Sequence, residues 1–198
     1  GSEMCIRDSS VSGGDISAMA NQIVAHAEVR AQEYQELKKE AKKYADAQEV
    51  ARRAQEMKEE TTRIREKALK EAAKRKEEKR VAKRQEVADF AVQFVGNPYV
   101  WGGTSLTNGA DCSGFVMSVF ASFGYALPRV AAAQYGASVK KDLSHMEVGD
   151  LVFYGNGISH VALYIGNGKV VHALNSNKGI VITDYNYDTP VGVGTYME

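Results

Sequence analysis

The sequence predicts an α+β domain, helices packed on an antiparallel sheet, preceded by a long α-helical or coiled-coil arm. Three observations point there. Residues 15–95 contain no glycine and no proline, whereas the 103 residues after them hold all three prolines, the one tryptophan and most of the 18 glycines. Residues 34–68 carry a helical stripe, and short apolar runs broken by glycine turns fill residues 148–185. The expected division is a tail over residues 1–14, the arm over 15–87 and the folded domain over 88–198. About 100 residues bury enough surface to fold alone.

Net charge is zero for the whole chain but uneven along it. Residues 15–95 carry 19 basic and 16 acidic side chains, residues 96–198 carry 5 and 7. Neither balance marks a nucleic-acid binder. Residues 63–84 stand out, with 11 basic against 4 acidic side chains. A solvated helix face accounts for them, with binding of an acidic polymer as the other reading. Two cysteines, Cys5 and Cys112, make no disulfide framework. Gly1-Ser2 reads as a cloning scar and residues 3–10, EMCIRDSS, as adapter-derived sequence, so the natural N-terminus is expected to be trimmed. No signal peptide is present, and no apolar run reaches the ~18 residues of a membrane span.

In the arm, Asp15 or Ser17 is positioned as a helix N-cap after Gly13-Gly14. Tyr34, Leu37, Ala41, Tyr44, Ala47, Ala51, Ala54, Met57, Thr61, Ile64 and Ala68 recur at a mean step of 3.4, near the 3.5 of a coiled-coil seam. One helix here would run roughly 120 Å at ~1.5 Å per residue. A hairpin turning near residues 59–62 is the alternative, which the missing Gly and Pro disfavour. Alanine fills most of the seam, so the arm gains little from its own burial and calls for a partner. Self-association, partner docking, inhibition and simple spacing all fit it. Val87, Phe90, Ala91, Phe94 and Val95 make a denser stripe expected to pack on the domain.

Residues 96–103, GNPYVWGG, form a glycine-bounded turn segment rather than a strand or helix. Asp111-Cys112-Ser113-Gly114 precedes Phe115, Val116, Val119, Phe120 and Phe123 at helical spacing, which puts Cys112 at the start of a buried helix. There, unpaired N–H groups and the positive dipole end favour a thiolate. A small buried core residue is the bland alternative. Residues 148–154, 160–165, 169–174 and 179–185 read as strands, with Gly166-Asn167-Gly168 as a hairpin turn. His160 and His172 are nearly symmetric about that turn, so the hairpin brings them to one end, where one ring can hold the other's tautomer. His26, on the charged helix, and His145, in a polar loop, lack such a partner. A zinc site is a rival for one Cys and two His, but no carboxylate adjoins either histidine.

The segments PYVWGG (98–103), DCSG (111–114), LPR (127–129), GDLVFY (149–154), SHVALYIGNG (159–168) and VHA (171–173) resemble the NlpC-type family of papain-like peptidoglycan endopeptidases. They follow family order and spacing over residues 88–197, and the arm lies outside the match. The resemblance implies a papain-like fold and thiol catalysis, with Cys112 as nucleophile, His160 as base and His172 as third polar member. It makes the Tyr99 hydroxyl and the Cys112 N–H the oxyanion donors. Asp111 and Ser113 would line the site for the stem peptide, Arg129 would serve structure as readily as catalysis, and Trp101 would wall the cleft or fill the core. The implied substrate bond joins γ-D-glutamate to a diamino acid, no metal or organic cofactor is needed, and the place of action is secreted or wall-associated. A wall amidase or cross-bridge peptidase of the same fold, and a wall- or partner-binding helical protein with a latent domain, are the competing readings. The chain departs from the family after LPR, where Val130-Ala131-Ala132 replaces the usual Ser or Thr and removes a local cap.

Overall fold

A computed structural model describes residues 13–197; Cys5 and the expected tail as far as residue 12 lie outside them, whereas Gly13 and Gly14 belong to the first helix. The chain divides into two compact units, one ending at Ala68 and one beginning at Leu69. A single α-helix, α1, runs Gly13–Val92. It begins upstream of Asp15 and Ser17, so neither caps it, and it passes through residues 59–62 without a turn. The hairpin alternative is thereby excluded.

In the first unit the helix is solvated. Tyr34, Leu37, Tyr44, Met57 and Ile64 of the expected seam are all exposed. Ion pairs one turn apart, such as Arg53–Glu49 and Arg52–Glu56, lie along it; water screens exposed pairs of this kind, so each adds little. None of the described helices is long and apolar enough to cross a membrane.

The second unit takes in the last turns of α1. Val87 and Ala91 are buried, and Phe90 and Phe94 pack against the same core, whereas Val95 is exposed. A small hairpin follows, β1 (Thr104–Ser105) and β2 (Gly109–Ala110), then α2 (Cys112–Ala121) and α3 (Ala131–Ala137). The remaining strands are β3 (Val139–Lys141), β4 (Leu151–Tyr154), β5 (His160–Gly166), β6 (Lys169–Asn175), β7 (Gly179–Asp184) and β8 (Pro190–Thr195). They form one six-stranded antiparallel sheet in the order β3-β8-β4-β5-β6-β7.

Strand alternation sorts side chains onto two faces. Leu151, Phe153, Val161, Leu163, Val171 and Ala173 meet Phe115, Val116, Val119 and Phe120 of α2 in the main core. Val152, Tyr154, Ala162 and Val170 form a smaller cluster. Each fully buried large apolar side chain contributes about 1.5–3 kcal/mol relative to exposure, so the α2–sheet contact dominates the stability of this unit. Between β5 and β6, Asn167 (φ 52°) and Gly168 (φ 72°) are both left-handed, the signature of a type I′ hairpin turn whose twist matches the strands.

A buried ion network ties the end of α1 to the sheet. The Arg84 guanidinium is 3% exposed and donates to Asp150 Oδ1 at 2.8 Å, to the Val148 carbonyl at 2.9 Å, to Thr195 Oγ1 at 2.8 Å and to the Met197 carbonyl. Lys141 Nζ adds a second cation 2.8 Å from Asp150 Oδ2, and Glu147 pairs with both Arg80 and Lys141. Removing one member of a buried pair costs far more than the pair gains, because its partner keeps its desolvation penalty. Arg84→Ala should destabilise the second unit by about 3 kcal/mol, read as a lower urea midpoint at unchanged slope in near-UV circular dichroism. An unchanged midpoint would mean that the network is dispensable.

Candidate active site

The site is assembled on one carboxylate. Asp111 caps α2, and its Oδ1 accepts the Gly114 N–H at 2.8 Å. Its Oδ2 accepts the Gly102 N–H at 2.9 Å. Arg129 grips both oxygens, at 2.9 and 2.7 Å, in the paired geometry guanidinium favours. Burial pushes the Asp111 carboxyl up, but Arg129 and the Gly114 and Gly102 amides outweigh it and hold it below the usual range. Gly114 has to lack a side chain, since a Cβ there would stand 2.1 Å from the Gly103 carbonyl oxygen. The GNPYVWGG turn segment thus lies directly against the first turn of α2, with Tyr99 bridged to Ala110.

Cys112 is the first residue of α2 and 9% exposed, at the base of a cleft of about 520 Å³. Tyr99, Trp101, Asp111, Ser113, Arg129 and His160 line the same cleft. The sulfur lies 4.0 Å from the Ser159 carbonyl oxygen, its hydrogen-bond partner among the described residues. Burial raises the Cys112 thiol above its ordinary value, and the Asp111 charge adds to this, while the N–H groups of Val161, Ser113 and Cys112 itself pull the other way. Burial thus opposes the thiolate expected at the helix start, against the pull of the helix amides.

The two histidines meet as the hairpin requires, but diagonally. The register opposes Leu163 to Val171 and Tyr164 to Val170, with a shift between Tyr164 and Gly166. That offset sets His160 and His172 on one face two positions out of line, within reach of each other as diagonal cross-strand pairs are. His160 Nε2 and His172 Nδ1 are 2.8 Å apart. His172 is fully buried, and its Nε2 lies 3.1 Å from Thr183 Oγ1 on β7. Tyr187 packs edge-on against His172 at 4.9 Å between ring centroids and, tilted, against Tyr154 at 5.0 Å. Burial lowers His160 from 6.5 to about 4. Burial, then the neighbouring His160, lowers His172 from 6.5 to about 3. Both rings are neutral at neutral pH, as a general base must be.

The other expected site residues fall as follows. Burial, then Cys112 and Asp111, raise the Tyr99 phenol, which keeps its proton and stays a donor in the cleft. Ser113 is buried; its hydroxyl donates to Asp111 and accepts from Arg129, so the three form an internal network on the cleft wall. Trp101 is 86% exposed, at the rim and not in the core. After LPR, Val130 stands at the N-cap of α3 with no side-chain hydrogen bond, as the lost Ser or Thr implies. Thr183 and Tyr187 were not singled out from sequence. The alternation of β7, which puts Thr183 on the His172 face, was the available signal for the former.

A cysteine at the head of a buried helix, opposite a histidine pair on an antiparallel sheet, defines the papain-like class of thiol hydrolase folds. Residues 96–191 match the model of the NlpC/P60 family, a family of cysteine peptidases, and make up an NlpC/P60 domain. It is 47% identical over 85 residues to the probable endopeptidase p60 of Listeria seeligeri, covering 42% of this chain and 16% of that protein. It is 42% identical over 103 residues to the gamma-D-glutamyl-L-lysine dipeptidyl-peptidase of Bacillus subtilis, covering 50% and 34%. The chain thus spans well under half the length of either relative. Among solved structures, the peptidoglycan hydrolase RipB of Mycobacterium tuberculosis aligns with TM-score 0.53 and 31% identity, over 59% of this chain and 68% of that one.

The lowered histidines make a pH prediction. A folded-state value below the unfolded one means that the unfolded chain takes up protons first as pH falls. The stabilisation is complete above 6.5 and is lost as the pH drops through the window down to about 4 for His160 and about 3 for His172. Ring nitrogen shifts should therefore remain those of neutral imidazole at pH 5. Half-protonation of either ring near 6.5 would contradict the burial argument.

Proposed function

We propose that the chain is a cysteine endopeptidase of peptidoglycan stem peptides, hydrolysing the bond between γ-D-glutamate and the diamino acid that follows it. The observation that carries this is the Cys112 sulfur at the base of a cleft shared with His160, a base held by His172. The name of the Bacillus subtilis relative supports the choice of bond.

With His160 Nε2 engaged by His172, Nδ1 is the ring nitrogen free to accept a proton. When substrate fills the cleft, the thiol proton leaves its contact with the Ser159 carbonyl for His160, and the sulfur adds to the scissile carbonyl carbon. The oxyanion is met by the Tyr99 hydroxyl and the Cys112 N–H at the start of α2. Collapse breaks the C–N bond, the His160 proton goes to the departing amine, and a thioester remains. Water, deprotonated by His160, then releases the acid and restores the thiol. Asp111 and Arg129 hold the walls in register; in this reading Ser113 and Trp101 border the stem peptide, and the site of action is the cell wall or the medium.

Cys112→Ala should abolish cleavage of a defined muropeptide carrying the γ-D-glutamyl–diamino acid bond, with products read by mass. Undiminished turnover by that variant would remove the assignment, and products cut at the sugar–peptide amide or at a cross-bridge would redirect it to those bonds. Tyr99→Phe should lower kcat about a hundredfold, the effect of deleting one oxyanion donor, with little change in KM. Unchanged kcat would take Tyr99 out of the oxyanion site.

A further inference from the structure

We propose that Thr183 is a positioning residue that sets the direction of the hydrogen-bond chain through both histidines and so leaves Nδ1 of His160 as the bare nitrogen. The inference deepens the reading of the site as a thiol–imidazole hydrolase and rests on it.

The argument is a count of protons. A threonine hydroxyl has one hydrogen to donate and two lone pairs to accept with. Thr183 Oγ1 lies 3.2 Å from the Asp184 carbonyl oxygen, a pure acceptor, and 3.1 Å from His172 Nε2. The hydroxyl satisfies both neighbours only by donating its one proton to the carbonyl and accepting from His172. His172 must then carry its proton on Nε2, and its Nδ1 is a lone pair. Across 2.8 Å that lone pair accepts from His160 Nε2, which must carry the proton of that ring. His160 Nδ1 is left without a hydrogen, ready to receive one.

The direction matters because the opposite chain cannot work as well. With the proton of His172 on Nδ1, His160 Nε2 would be the acceptor and its Nδ1 would already hold a hydrogen. Protonating His160 would then bring two N–H groups face to face in a buried space. With the chain as Thr183 directs it, the imidazolium formed during acylation keeps a hydrogen bond to His172, and the buried charge is stabilised by an acceptor.

The geometry is supplied by the sheet. Thr183 is paired with Val170 and His172 with Val181, so Thr183 sits diagonally from His172 on the same face. His160, His172 and Thr183 thus form a row across β5, β6 and β7. Tyr187 packs edge-on against the His172 ring in the middle of that row.

The test reads tautomers and turnover separately in the full chain. Ring nitrogen and carbon shifts of selectively labelled histidine should show both His160 and His172 as Nε2–H in the wild type. Thr183→Val, which keeps the shape but loses the acceptor, should move His172 toward the Nδ1–H form. It should lower kcat on a defined muropeptide at least tenfold with KM nearly unchanged, and Thr183→Ser should restore both readouts. Wild-type His172 found as Nδ1–H, or Thr183→Val with wild-type tautomers or wild-type kcat, would overturn the proposal. Failure of the hydrolase reading is a different result, because it appears as a wild-type protein that cleaves no muropeptide while the tautomer readout, which needs no substrate, still decides the role of Thr183.

Discussion

Everything at the site depends on the Asp111 carboxylate. Four groups from three chain segments converge on its two oxygens: the Gly102 N–H from the turn segment, the Gly114 N–H and Ser113 hydroxyl from α2, and the Arg129 guanidinium. A neutral side chain could cap the helix, but it could not hold Arg129 by charge at the same time. The result is that Tyr99, the sulfur and the Leu127–Arg129 segment share one rigid wall. Preorganisation of this kind is what lets a few donors act on a developing charge without reorganising at the moment of reaction.

The same carboxylate has a cost for the chemistry. A fixed negative charge next to Cys112 opposes ionisation of the thiol, and burial opposes it more strongly; the amides of Val161, Ser113 and Cys112 do not cancel the two. Both imidazoles are also pushed toward neutrality by burial. Burial thus favours a thiol beside a neutral imidazole over a thiolate–imidazolium pair. Under that condition the orientation of the bare nitrogen counts for more than the charge of the ring, which is why the acceptor at the far end of the row, Thr183, has a role to play.

Much of this was legible in the residues. DCSG ahead of a helical run of Phe and Val put the sulfur at a helix start, and Gly-Asn-Gly between two apolar strands required a hairpin that would pair the histidines. Three parts were not legible, each for a physical reason. β8 has Pro190, Gly192 and Gly194 in six residues, so it lacks the alternating signature and is recruited by its neighbours β3 and β4. α3, rich in alanine, has too short an apolar stripe to announce itself. The ring-to-ring contact was expected straight across the hairpin, but the turn at Asn167-Gly168 offsets the two rings by three places, and the register shift before Gly166 brings them to a diagonal pair on one face; no local pattern reports a register.

The domain boundary shows the difference between composition and energetics most clearly. Glycine, proline and charge all change near residues 95–96, yet the compact unit begins at Leu69. Arg84 accounts for the part of the gap nearest the sheet. In sequence it is one of 11 basic residues in a stretch that reads as solvated helix, whereas in the fold it is the buried partner of Asp150 and of the last strand. A charge is worth burying only where several acceptors converge on it, and those acceptors come from residues 64 to 113 positions away. Because Asp150 immediately precedes β4, and β4 pairs with the strand that carries His160, the last turns of the helical arm are part of the scaffold that fixes the base.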